Sequence, residues 1–248
     1  MLEKILKVQQ HYQTKNRRGF MHPLSKISRA FVDFSQSHFP VIDMGCAYGN
    51  VTIAALNVGA KCVIACDMEM EHLKILEQEA GSNNADRLQL KQGIFPEEFD
   101  FAENSIGAIY ASHILPFFNG TEVEKGFEKF YSWLKPEGKL FILCYTVFIK
   151  ELDNPIFAEE YTRRKHNKVK WPGYLEDFNK FVNDPSDNIE EEPFPSALHV
   201  YEKEILIDAL KDVGFKIEFA DYLNGKDNAA MEETLFDGRE FLGIIAVK

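Results

Sequence analysis

The segment Val41-Ile42-Asp43-Met44-Gly45-Cys46-Ala47-Tyr48-Gly49-Asn50 constrains the fold more than any other part of the chain. It reads as a short buried strand, a tight glycine turn and the first turn of a helix, with Leu56 and a second apolar run just beyond. Glycines let the backbone approach a ligand closely, and a helix N-terminus offers free N–H groups. The turn is therefore a candidate binding loop for a nucleotide-type ligand.

The remaining sequence repeats the strand–helix alternation. Leu24, Ile27, Ala30, Phe31 and Phe34 have helical spacing between Pro23 and Phe39, and Pro40 ends that pattern. Further strands are predicted at Lys61–Cys66, Leu88–Gln92, Ile106–Ala111 and Lys139–Val147, with helices at Val51–Val58, Glu69–Glu79 and Val123–Leu134 between them. Pro136-Glu137-Gly138 reads as the close of the last of these helices. A helix is predicted at Glu202–Val213, followed by strands at Phe215–Tyr222 and Glu240–Val247 with no clear crossover helix, which suits an antiparallel pair. Near-continuous apolar strands alternating with helices predict an α/β, doubly wound, mainly parallel seven-stranded sheet with a closing antiparallel strand pair. Residues 1–248 read as a single domain. Its N-terminal 1–34 read as a helical arm that could fold over the site, and 150–198 as an insertion after strand five, too short and polar for a core of its own.

Bulk properties exclude several classes. With 248 residues, 45% hydrophobic content and 21 Phe, the chain can bury a sizeable core. A net charge of −11 disfavours nucleic acid as a partner. Cys46, Cys62, Cys66 and Cys144 form no close CxxC pair and read as buried free thiols, so no metal is expected. No apolar run is long enough to span a membrane, and Met1-Leu-Glu-Lys-Ile-Leu-Lys has no signal-peptide core, so a cytoplasmic location is expected. Oligomeric state is not legible.

The turn is not GxGxxG, because Ala47 stands at the middle position and no glycine follows Gly49 at the right offset. Asp43 precedes the first glycine, and a carboxylate there would repel a diphosphate. Asp43 as a plain helix cap is the competing reading. Asp43, Gly45, Ala47 and Gly49 resemble the first motif of the class I S-adenosylmethionine-dependent methyltransferases, with Ala for the middle glycine. The resemblance covers roughly residues 35–148 and the closing strands, and it implies a Rossmann-like fold. It also implies S-adenosylmethionine as cofactor, S-adenosylhomocysteine as product, and a transferase activity. Asp67 falls where the family places an acid on the ribose hydroxyls, and Met68 where an apolar residue packs on adenine. Gly93-Ile94 stands where the family often has Gly-Asp, so adenine would be held by backbone and packing. Ser112 ends the fourth strand beside the methyl donor, Cys46 lies in the turn, and His113 is the candidate catalytic base, with a structural histidine as the bland alternative.

The acceptor is argued from what is missing. The Asn/Asp-Pro-Pro-aromatic run of amino-group methyltransferases is replaced by Ser112-His113-Ile114-Leu115, and the paired glutamates of arginine-directed enzymes have no counterpart. A small-molecule acceptor remains, in an aromatic-lined pocket drawing on Tyr145, Trp171, His199 and Tyr201. Methylation of a protein, or cofactor binding without turnover, are the alternative readings.

Overall fold

The computed structural model describes residues 12–182, 196–223 and 237–248. The central sheet contains β3 (Val41–Met44), β4 (Val63–Asp67), β5 (Leu88–Gln92), β6 (Ile106–Ser112), β7 (Leu134–Tyr145), β10 (Lys216–Tyr222) and β11 (Phe241–Val247). Its strand order is β10-β11-β7-β6-β3-β4-β5. β3 to β7 pair in parallel, while β11 runs antiparallel between β7 and β10. This is the doubly wound sheet with a closing antiparallel pair that the sequence predicts. The order reverses between β3 and β6, so their carboxyl ends diverge around a crevice.

Alternation along the buried strands feeds two core layers. Ile42, Met44, Ile64 and Cys66 face Phe127 and Phe130 of α4 (Gly120–Trp133) and Leu206 and Leu210 of α6 (Lys203–Val213). Val41, Val63 and Ala65 face Ile27 and Phe31 of α1 (Lys26–Ser35), Leu56 of α2 (Asn50–Asn57), and Leu73 and Leu76 of α3 (Met70–Ala80). A strand sandwiched between helix layers has no polar face, which is why these segments read as apolar runs.

Three sequence expectations change. Residues 12–21 are not helical: β1 (Tyr12–Gln13) and β2 (Phe20–Met21) form a short antiparallel hairpin, and α1 starts only after the Ser25 cap, whose hydroxyl accepts from the Ser28 amide at 3.2 Å. Pro136-Glu137-Gly138 closes no helix, since β7 already begins at Leu134 and runs through it, with Glu137 in the left-handed region at φ 65°. The insertion gathers a small apolar cluster of its own: Phe157 and Tyr161 of α5 (Pro155–His166), with Leu175, Phe178 and Leu198, packed under Val147 and Ile149. Tyr174–Leu175 (β8) and Leu198–His199 (β9) form a two-stranded ribbon within it. The acidic run Glu190–Glu192 and the first eleven residues lie outside the described residues. Among the described residues, no helix is long and apolar enough to cross a membrane.

Candidate functional site

The loop between β3 and α2 passes through the left-handed region at every second residue: Gly45 (φ 75°), Ala47 (φ 46°) and Gly49 (φ 74°). That is the physical reason for glycines at this spacing. Close packing adds to it, because a Cβ on Gly45 would lie 2.4 Å from Ile114 Cγ2 and one on Gly49 2.2 Å from Leu76 Cδ1. The Gly45 and Cys46 amides both donate to the Cys66 carbonyl, at 2.8 and 3.0 Å, which ties the loop to β4. Cys46 is buried, and burial holds its thiol well above the ordinary value, so it stays protonated.

Asp43 is buried beneath the loop and accepts from the Thr52 hydroxyl at 2.7 Å. It also accepts from the Thr52 backbone amide, so its carboxyl caps α2 from within the fold. Burial, opposed by these two hydrogen bonds, pushes its pKa up to about 6.

Asp67 ends β4, one strand over and level with the loop. Its Oδ2 accepts from the Ala47 amide at 2.8 Å, and its Oδ1 from the Glu69 amide at 2.8 Å. The Gly93 amide donates to the Asp67 carbonyl at 3.1 Å and joins the ends of β4 and β5. Met68 and Ile94 follow at these two neighbouring strand ends, and they are 52% and 51% exposed. Half-exposed apolar side chains beside a polar loop fit a flat, apolar ring system with hydroxyls on its sugar. The residues present thus suit an adenosine group.

Sequence reasoning missed one member of this cluster. His72, on α3, is 1% exposed, and its Nδ1 lies 3.2 Å from Asp67 Oδ1. Its Nε2 lies 2.9 Å from Asn16 Oδ1 in the N-terminal hairpin, and its ring edge meets Tyr48 at 5.3 Å. The hairpin is fixed further by the Lys15 amide donating to Tyr48 Oη at 2.8 Å and by an Arg18–Glu69 ion pair at 2.7 Å. Nothing in the spacing of Asn16 and His72, separated by 56 residues, announces this contact.

At the end of β6, Ser112 meets the Tyr110 hydroxyl, which Ser25 and Ser28 also approach. His113 follows with φ 54°, its amide donating to the Leu143 carbonyl at 2.7 Å. Its ring lies 4.7 Å from Tyr145, 4.8 Å from His22 and 5.8 Å from Phe241, so the fold does bring the sequence candidates His113 and Tyr145 together. Burial pushes the Tyr145 phenol up to about 12, which makes it a poor base near neutral pH.

Trp171, His199 and Tyr201 group elsewhere. Tyr201 is 1% exposed and donates its hydroxyl to the Leu115 carbonyl at 2.8 Å. His199 is fully buried, and its Nδ1–H donates to the Phe118 carbonyl at 2.9 Å. Burial takes its pKa down to about 4, so the ring is neutral. Trp171 Nε1 donates to Glu124 Oε1 on α4 at 2.8 Å, with its ring edge-on to His199. His199 and Tyr201 therefore brace the Leu115–Phe117 turn from behind, and Trp171 packs edge-on against both rings. Phe117, at the crest of that turn, is 61% exposed.

Residues 41–138 match the family model described as a methyltransferase domain. No curated protein matches the chain. Among solved structures, an S-adenosylmethionine-dependent methyltransferase from Mesorhizobium loti is 16% identical, with a TM-score of 0.64 over 89% of this chain and 95% of that one. A putative S-adenosylmethionine-dependent methyltransferase from Listeria monocytogenes is 16% identical, with a TM-score of 0.60 over 90% and 98%. Magnesium protoporphyrin IX methyltransferase from Synechocystis, with bound S-adenosylhomocysteine, is 13% identical, with a TM-score of 0.54 over 90% and 79%. At these identities the likeness is one of fold.

Proposed function

We propose that the chain is a class I S-adenosylmethionine-dependent methyltransferase and that it methylates a small, apolar or ring-bearing acceptor. The observation that supports the reading best is the alternating left-handed loop Gly45–Gly49 held against Asp67, with Met68 and Ile94 half exposed at the next strand ends. Asp67 accepts the ribose hydroxyls, Met68 and Ile94 hold adenine with Gly93 beneath, and Gly45, Cys46, Ala47 and Gly49 line the cofactor with backbone. Buried Asp43 gives the loop a negative field suited to a cationic ligand.

S-adenosylmethionine, when bound, supplies an already activated methyl group, so the protein's work is mainly proximity and orientation. Ser112 borders the donor end. His113, Tyr145, Phe241 and His22 form an aromatic wall for the acceptor, and His113 takes the acceptor's proton at its imidazole nitrogen. The insertion and the exposed Phe117 close the acceptor side.

Calorimetry with S-adenosylhomocysteine tests the cofactor site. Wild-type protein is expected to bind, and Asp67→Asn, which keeps the shape but not the charge, to bind at least ~10-fold more weakly. Folded wild-type protein that binds neither S-adenosylmethionine nor S-adenosylhomocysteine would end this reading. Labelled methyl appearing in macromolecule rather than in the small-molecule fraction of an extract would move the acceptor to protein. With the acceptor in hand, a general base at His113 predicts a ~100-fold or larger loss of kcat in His113→Ala, and a change below threefold removes that role.

A further inference from the structure

We infer that His72 is a positioning residue, coupling closure of the N-terminal hairpin to the orientation of Asp67, and that the hairpin is the gate of the cofactor site. The inference rests on Asp67 being the ribose acceptor. His72 is wedged between the two: Nδ1 faces Asp67 Oδ1 and Nε2 faces Asn16 Oδ1. Asn16 Oδ1 also accepts from the Arg18 amide at 3.2 Å and the Thr14 hydroxyl at 2.9 Å, so the hairpin's own turn is folded around the atom that touches His72. The amide donor from Arg18 also fixes which end of the Asn16 side chain is oxygen.

The contact is backed on every side. A Cβ on Gly19 would sit 3.3 Å from His72 Cε1 and 3.6 Å from Ala47 Cβ, so the hairpin backbone lies directly on both the histidine and the glycine loop. Met21 is buried with Ala47 and Tyr48, and Asn50 Nδ2 donates to the His22 carbonyl at 2.6 Å. With the hairpin down, Asp67 is only 8% exposed. On this inference, a ligand that hydrogen-bonds this carboxylate enters and leaves as the hairpin lifts off His72 and Ala47. His72 transmits the movement, because lifting Asn16 removes the restraint that holds the imidazole against Asp67.

Two variants separate the gate from the positioning role. Asn16→Leu removes the hairpin's acceptor and leaves His72 on Asp67. Stopped-flow binding of S-adenosylhomocysteine should show association and dissociation both about tenfold faster, with Kd within threefold of wild type. His72→Phe keeps the ring against Tyr48 but removes both polar contacts. Dissociation should then rise more than association, and Kd should increase severalfold. Asn16→Asp, which keeps an oxygen facing His72, should restore rates within threefold of wild type. Hydrogen exchange of residues 12–22 without ligand should accelerate in Asn16→Leu and His72→Phe. Association rates unchanged in both variants overturn the gate, and a wild-type Kd in His72→Phe overturns the positioning role. Unchanged exchange in both variants overturns the inference without reference to any ligand. Failure of folded wild type to bind S-adenosylhomocysteine overturns the cofactor reading, and the inference with it.

Discussion

Ala47 sits in the left-handed region, where a residue bearing Cβ is disfavoured by about 1–2 kcal/mol. Glycine would relieve that, yet it would forfeit about 0.5–1 kcal/mol of chain entropy and the burial of a methyl group worth about 0.8 kcal/mol. These terms nearly cancel, so Ala47→Gly should leave the urea midpoint almost unmoved. Ala47→Val puts a branched side chain at positive φ and should cost more than about 2 kcal/mol by the same measurement. Asp43 gives a pH signature. Its folded pKa of about 6 lies above that of an unfolded aspartate, so the native state keeps a proton that the unfolded chain has lost. Stability from this group is therefore full below pH ~4, falls as pH rises to ~6, and is level above. The span of roughly two pH units corresponds to about 3 kcal/mol at most. Asp43→Asn, still able to accept from Thr52, should be more stable than wild type at pH 8 by up to that amount and no more stable at pH 4. Equal unfolding free-energy differences at both pH values would contradict it.

The elements were unequally legible. β3, β4, β6 and β7 were readable because a strand buried on both faces is simply apolar, and the glycine turn was readable because left-handed backbone demands glycine. The hairpin was not, since two-residue strands carry no periodicity and its stability comes from Tyr48, His72 and Glu69, all distant in sequence. Helix α5 had a start signal in Asn154-Pro155, where Asn154 Oδ1 accepts from the Phe157 amide at 3.0 Å, but its polar surface hid its inner face. For the candidate site, the strand ends that Asp67 and Ser112 occupy are legible in the sequence, whereas Trp171, His199 and Tyr201 read as pocket walls from their aromatic character. Burial turns His199 and Tyr201 into braces for the turn after β6, while half-buried Trp171 bonds Glu124 of α4. Tyr201→Phe strips a donor from the Leu115 carbonyl, which should cost about 1–2 kcal/mol and loosen that turn. We expect kcat to fall severalfold while the Kd for S-adenosylhomocysteine holds, and an unaltered kcat would show that the brace has no bearing on catalysis.

Across the whole molecule, the order of strands in the central sheet sets the ends of β4 and β5, with Asp67, Met68 and Ile94, on one side of β6 and the ends of β7 and β11, with Tyr145 and Phe241, on the other. The same sheet has two outer strands, and each is a template on which another chain could pair. β10 presents Lys216, Glu218 and Asp221 to solvent, and its register with β11 slips between Ile217 and Phe219. β5 turns Gln89, Lys91 and Gln92 outward. Charge and an irregular ladder make each rim a poor partner for a second sheet, which bears on colloidal behaviour rather than on chemistry. Lys216→Thr, at an exposed position of the rim strand, should leave the melting temperature nearly unchanged. It should also lower the concentration at which static light scattering first detects strand-to-strand aggregates in a crowded solution.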